Sequence, residues 1–234
     1  MNEVISAQEA LQFFAINADY SLIDVRSEGE FELGHMPVAA NIPILNNEHR
    51  HLVGLSYKEE GQECAIALGN KLVAPIKNQL LARWRESAKD KTFVYCWRGG
   101  LRSKISCEWM KSEGLTPIRI EGGYKALRRL LLDQLHTFPE FLVLAGMTGS
   151  GKTQILENLD LALDLEDLAQ HRGSAFGNLP LTPQPKQQNF ENALGVYFYK
   201  TPKKVIVEDE SRNIGAIKLP DQMFDHMAIS PSVI

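Results

Sequence analysis

No run of about 18 apolar residues occurs along the chain, so no segment reads as a membrane-spanning helix and no membrane partner is expected. The opening MNEVISAQEALQFF lacks the basic and then apolar layout of a secretion signal, so the expected location is the cytoplasm. Cysteine is scarce. Cys64, Cys96 and Cys107 are odd in number and form no CxxC pair, which argues against a disulfide framework or a zinc knuckle and for reduced thiols. An excess of positive charge is also lacking. The formal net charge of -4 gives no global pull toward nucleic acid, so RNA contact needs a local basic surface. The stretch from Lys77 to Lys104, which carries Arg83, Arg85, Lys89, Lys91, Arg98 and Arg102, is one candidate. For its first half a solvated mixed-charge helix face is an equal reading.

What is present suits a folded protein of two domains. The apolar share of 44% and charged share of 23% match ordinary globular chains, so a buried core is expected rather than disorder. A length of 234 residues exceeds the usual single domain. Ser6 and Glu9 form a capping box that opens an amphipathic helix to about Ile16, and the apolar pair before Asp24 reads as a short strand. Arg26 to Pro43 reads as turn-rich. Helical patterning then runs from Tyr57 to Ser87, broken at Gly61 and Gly69. TFVY at 92–95 and PIRI at 117–120 read as strands, with helical sequence from Ser103 to Lys111 and again after Gly123. Strands alternating with helices imply an α/β fold with a parallel sheet. A seam at 137–140 separates residues 1–136 from 137–234, where FLVLA at 141–145 starts a second α/β unit. Residues 178–188 read as a loop and VIV at 205–207 as a further strand.

Cys96 stands at the end of a predicted strand, followed by WRGGLRS and helix-forming sequence. A loop between a strand end and a helix N-terminus turns backbone N–H groups inward, and the helix dipole adds partial positive charge. Such a loop, with Arg98 and Arg102, favours a thiolate that attacks a sulfur or selenium donor and carries the chalcogen. Cys64 and Cys107 lie in helical patterns without such surroundings and are assigned to packing.

The segment GMTGSGKT at 146–153 satisfies GxxxxGK[ST], follows a strand and opens a helical stretch. Gly146, Gly149, Ser150 and Gly151 let backbone N–H groups approach phosphate oxygens. Lys152 reaches the terminal phosphates, and Thr153 is placed to coordinate Mg²⁺. KKVIVEDES at 203–211 supplies a strand ending in a carboxylate, Glu208 or Asp209. Metal preference favours Asp209 as the second Mg²⁺ ligand. About 93 residues follow Phe141, which is short for a complete nucleotide-binding sheet, so this domain reads as cut short, with no evident closing element after MFDHMAISPSVI.

DVRSEGEFELGHMP from Asp24, NIP at 41–43, YCWRGGLRS at 95–103 and EGGY at 121–124 occur in the order of rhodanese domains, a resemblance covering roughly residues 1–135. It implies that Cys96 is the chalcogen-carrying nucleophile and that Arg98, Gly99, Gly100, Arg102 and Ser103 form its anion cradle. Residues 97–101 make the loop one residue wider than the common sulfurtransferase loop. In this it resembles the related phosphatases and leaves room for a phosphate-bearing donor. In this fold Asp24, Arg26 and His35 are expected to fix backbone at the sheet edge.

With a P-loop unit following, and with HRGSAFG at 171–177 and VEDESRNIG at 207–215, the whole chain resembles the tRNA 2-selenouridine synthases. The resemblance implies replacement of sulfur by selenium in wobble 2-thiouridine of tRNA. Selenophosphate would be the donor, S-geranyl-2-thiouridine the intermediate and geranyl diphosphate the co-substrate held at Lys152. A selenophosphate-supplying enzyme is an implied partner. Arg172, Ser174, Arg212 and Asn213 are candidate substrate contacts, and Trp97 a candidate base stacker. Two other readings stand beside this one: a P-loop kinase or ATPase with a regulatory rhodanese domain, and an inactive tRNA-binding fragment.

Overall fold

Five short strands build the first sheet of the computed structural model, which describes residues 3–146, 150–159, 161–172, 177, 182–200 and 204–234. The elements in chain order are β1 (Val4–Ile5), α1 (Ala7–Ile16), β2 (Ser21–Asp24), α2 (Glu28–Leu33), β3 (Ala40–Asn41) and α3 (Asn47–Glu59). They continue with α4 (Gln62–Val73), α5 (Lys77–Ser87), β4 (Thr92–Tyr95), α6 (Leu101–Ser112), β5 (Pro117–Ile120) and α7 (Gly123–Gln134). The sheet runs β1-β5-β4-β2-β3, and every pairing in it is parallel. All four residues of β2 and all four of β4 are buried, as central strands of a sheet covered on both faces require. Ile23, Val94, Trp84 and Met110 anchor the core on one face. Phe13, Phe14, Tyr20 and Phe93 form an aromatic cluster, with Phe14 stacked on Tyr20 at 4.6 Å between centroids.

The capping box at α1 is present: Glu9 N donates to Ser6 Oγ at 3.1 Å and Ser6 N to Glu9 Oε2 at 2.8 Å. Two sequence expectations change. The span read as turn-rich contains α2, which has its own box at Ser27 and Glu30. Gly61, with φ 94°, does break the helical run, but Gly69 lies inside α4.

The chain divides into two compact units, Met1–Arg128 and Arg129–Ile234, with the division inside α7. The second unit contains β6 (Glu140–Leu144), α8 (Lys152–Leu156), β7 (Ala162–Leu163), α9 (Leu165–Ala169) and α10 (Gln187–Lys200). It ends with β8 (Lys204–Glu208), β9 (Asn213–Ile214), β10 (Ile217–Lys218), α11 (Asp221–Ala228) and β11 (Ser232–Val233). Its sheet is β11-β6-β8-β7, again parallel throughout, and β9 and β10 form a separate antiparallel pair. Phe141, Val143, Val205 and Val207 of the central strands pack against Phe190 and Leu194 of α10 and Met223 and Met227 of α11. The last residues, expected to close nothing, form a helix that fills this core and a strand that pairs with β6. The fold class is therefore α/β with parallel sheets, as the alternation of strands and helices predicts.

Candidate active site

In the first unit β4 delivers Cys96 to the end of the sheet, and α6 begins five residues later at Leu101. Cys96 is buried at 4% exposure, with Sγ 3.3 Å from Ser103 Oγ, and that hydroxyl lies 3.1 Å from the carbonyl of Gly100. Ser103 sits in the first turn of α6, so the helix start places a hydroxyl against the sulfur. Gly99 and Gly100 complete the turn. Gly99 has φ 63°, and a Cβ there would lie 2.5 Å from the carbonyl of Ile120 and 2.9 Å from the nitrogen of Gly122.

The EGGY segment closes the loop from the other side. Tyr124 N donates to the Cys96 carbonyl at 2.9 Å and Lys125 N to that of Trp97 at 3.0 Å. Gly123, at φ 57°, lies so close that any side chain would strike the Cys96 carbonyl. Arg119 of β5 donates to the Gly99 carbonyl. The cysteine loop is thus fixed by a second loop 20-odd positions downstream, which in the sequence carries meaning only as part of a family pattern.

The cradle arginines differ. Arg98 is exposed, whereas Arg102 is largely covered and grips Glu30 of α2 with Nη1 at 2.5 Å and Nη2 at 3.0 Å. Burial alone would raise the Glu30 carboxyl, but the hydrogen bonds and charge of Arg102 outweigh it and hold Glu30 below the usual carboxylate range. Glu30 went unnoticed in the sequence because its partner lies 72 positions away.

Asp24 and Arg26 form a fully buried pair, Nη2 to Oδ2 at 2.6 Å, and Arg26 also donates to the Gly34 carbonyl at 2.8 Å. The guanidinium lies 4.1 Å from the Tyr124 ring. These contacts tie β2 to the EGGY loop, in keeping with a scaffold role. His35 stacks on Phe31 with its Nδ1 2.9 Å from the Phe31 carbonyl. Trp97 is 41% exposed and leans on Tyr124 at 5.6 Å. Cys107 is buried, and burial pushes its thiol up to about 12, which fits packing. Cys64 is instead exposed, since the turn of α4 that carries it buries Ala65. Along the basic stretch Arg85 is paired with Glu113 at 2.6 Å and Lys89 with Asp19 at 2.9 Å, so its first half is a mixed-charge surface.

In the second unit β6 leads into the phosphate loop and α8 starts at Lys152. Gly146 has φ 151°, and a Cβ there would sit 2.9 Å from Ser150 Oγ. Lys152 Nζ donates to the Gly146 carbonyl at 2.7 Å, folding the lysine back over the loop that phosphates would fill. Gly151 has φ 88°. Gly149, Ser174 and the side chain of Thr153 lie outside the described residues.

β8 ends at the carboxylate next to this loop. Glu208 is buried at 1% exposure and accepts from Glu166 N at 3.3 Å, while Asp209 is exposed. Of the two candidates Glu208 is thus the enclosed carboxylate and Asp209 the exposed one, because Glu208, on the face of β8 opposite to Val205 and Val207, is covered beside Glu166. Glu166, Glu208 and Glu210 bring carboxylate oxygens within 4.8 Å of one another. Burial, then the charge of Asp164, raises Glu208 to about 8; burial, then Glu166, raises Glu210 to about 7. Carboxylates crowded and buried in this way are the hard oxygen donors that suit Mg²⁺. Arg172 is exposed at the edge of a cavity of about 790 Å³ that Asp164 and Glu166 also line. Arg212 is committed to Asp221 at 2.5 Å and Asp225 at 3.0 Å, where it pins α11, and Asn213 lies in β9.

Residues 6–130 match the model of the rhodanese-like domain, and residues 139–234 that of the tRNA 2-selenouridine synthase AAA domain. The tRNA 2-selenouridine synthase of Marinobacter nauticus is 44% identical, with 92% of this chain and 61% of that protein covered. That of Nitrosomonas eutropha is 43% identical, covering 98% of this chain and 62% of the relative. The chain thus spans about three fifths of the length of these curated relatives. A crystallised N-terminal domain from Clostridium difficile 630 is 34% identical with a TM-score of 0.51, covering 55% of this chain and 98% of that one.

Proposed function

This chain belongs to the tRNA 2-selenouridine synthase family, and we propose that it replaces the sulfur of wobble 2-thiouridine in tRNA with selenium from selenophosphate. The reading that fits best has two steps. The 2-thio sulfur first attacks the geranyl carbon of geranyl diphosphate, the carbon–oxygen bond breaks and diphosphate leaves. The selenium of selenophosphate then attacks the base carbon and expels geranyl thiolate, a better leaving group than the free sulfur, and water takes the phosphoryl group from selenium and releases phosphate.

The observation that carries this reading is one chain holding both parts: a buried Cys96 in a glycine-closed loop at a helix start, and a lysine-bearing phosphate loop beside a buried carboxylate. Cys96 delivers or shields the selenium nucleophile, with the Ser103 hydroxyl beside its sulfur and Arg102 and Arg98 drawing in the phosphate-bearing donor. Lys152 and the backbone around Gly146, Gly149, Ser150 and Gly151 take the diphosphate. Mg²⁺, held by Glu208 with Thr153, would neutralise phosphate charge when bound. The reaction belongs to the cytoplasm, with a selenophosphate-supplying enzyme as partner.

The test is to incubate the chain with 2-thiouridine tRNA, selenophosphate and geranyl diphosphate and to weigh the nucleosides. 2-Selenouridine or its geranylated precursor supports the proposal. Absence of both, with a full-length relative active in parallel, refutes activity for this span.

A further inference from the structure

Trp97, next in the chain to the buried Cys96, is 41% exposed, whereas Trp84 is fully buried and Trp109 packs against the core. An exposed apolar side chain is ordinary by itself. This one is held in place from behind. Its ring leans on Tyr124 at 5.6 Å, and the buried Arg26 guanidinium lies 4.1 Å from the Tyr124 ring and 5.8 Å from that of Trp97. Its backbone is fixed as well, because its carbonyl accepts from Lys125 N at 3.0 Å. The ring is therefore a fixed surface at the rim of the cysteine loop, ordered before anything binds.

The second feature is charge. Lys125 stands in the first turn of α7 with an exposed side chain, and among the described residues no carboxylate pairs with it. The two segments that build this rim, residues 97–98 and 121–125, carry two exposed cations, Arg98 and Lys125, and one acid, Glu121. The basic stretch upstream differs: Lys89 is paired with Asp19 at 2.9 Å and precedes β4, at the far end of that strand from Cys96. An aromatic face with cations at its edge suits single-stranded RNA, whose unstacked bases lie on the ring while the cations meet the phosphates.

We propose that Trp97 is the stacking platform for an unpaired base of the tRNA anticodon loop and that Lys125 contacts the phosphate beside it. The inference rests on the reading above that the chain acts on tRNA, and occupancy of this surface is measured without turnover. The probe is a labelled anticodon stem–loop RNA with 2-thiouridine at the wobble position, titrated into the full chain by fluorescence anisotropy at several KCl concentrations, with no selenophosphate or geranyl diphosphate present.

Trp97→Ala should weaken stem–loop binding by about tenfold, and Trp97→Phe, which keeps a ring, should restore most of it. Lys125→Ala should weaken binding and lower the slope of log affinity against log salt by about one, with Lys125→Arg close to the parent. Lys89→Ala should change nothing. A fully paired RNA of the same length offers no unstacked base, so Trp97→Ala should bind it as the parent does. Equal losses on paired and looped RNA, or undiminished stem–loop binding in Trp97→Ala and Lys125→Ala, would overturn this inference alone. A parent chain that does not bind the stem–loop would overturn both it and the tRNA reading.

Discussion

Arg102 holds Glu30 with both terminal nitrogens, Nη1 to Oε2 at 2.5 Å and Nη2 to Oε1 at 3.0 Å, so the helix that follows the cysteine loop is anchored to α2. Glu30 is held below the usual carboxylate range, so its contribution to stability is complete above the ordinary glutamate value and is lost as pH falls through the lower folded value. Glu30→Ala should cost about 1–3 kcal/mol at neutral pH, because Arg102 is left covered and unpaired. Urea midpoints between pH 7 and 3 should fall more steeply for the parent than for Glu30→Gln. Identical profiles would remove the pair from the account.

Gly123 closes the cysteine loop by backbone contact alone. Gly123→Ala adds a methyl group against the Cys96 carbonyl at a left-handed φ of 57° and should destabilise the first unit by more than about 1 kcal/mol. Gly114→Ala is the comparison, since it shares positive φ but has open space around it. Denaturant unfolding should rank Gly123→Ala as clearly worse. Equal losses would mean that strain in φ, and not the contact with the loop, sets the cost.

Glu208 at about 8 and Glu210 at about 7 keep protons in the folded chain that they release when unfolded. Between the ordinary glutamate value and about 8 the native state therefore binds more protons, and stability must fall as pH rises across that window. Glu208→Gln should flatten this fall, and Mg²⁺ should oppose it in the parent by stabilising the charged carboxylates. Each kcal/mol recovered should raise the melting midpoint by about 2–4 °C. A parent whose midpoint rises steadily from pH 5 to 8 without Mg²⁺ would contradict the buried acidic cluster.

Strands β2, β4, β5, β6 and β8 and both the phosphate and cysteine loops are legible because their signals are local. TFVY and PIRI are short runs rich in strand-forming residues with turn residues at their ends, and the phosphate loop is fixed by spacing within eight residues. What the sequence hid depends on distant partners. Glu30 gains its meaning from Arg102, and Gly123 from Cys96. Glu208 differs from Asp209 in its burial beside Glu166, 42 positions earlier. Helix α2 was missed because six residues with none buried carry no periodic apolar face. Cys64 reads as a packing residue from its helical pattern because that pattern, with Ala65 beside it, does not say which of the two faces inward.

The three thiols should separate under alkylation of the native protein. Cys64 is exposed and should label readily, whereas Cys107, buried and pushed up to about 12, should stay unlabelled at pH 8 until the chain unfolds. Peptide mapping by mass spectrometry after a short iodoacetamide pulse checks this. Native labelling of Cys107 at the rate of Cys64 would show that α6 does not pack as described.

The division of labour between the two loops is tested most directly by weighing the nucleosides that Cys96→Ser and Lys152→Ala produce from 2-thiouridine tRNA with selenophosphate and geranyl diphosphate. Cys96→Ser should still yield S-geranyl-2-thiouridine but no 2-selenouridine, and Lys152→Ala should lose the geranylated product. Undiminished 2-selenouridine from Cys96→Ser would contradict the role given to this cysteine.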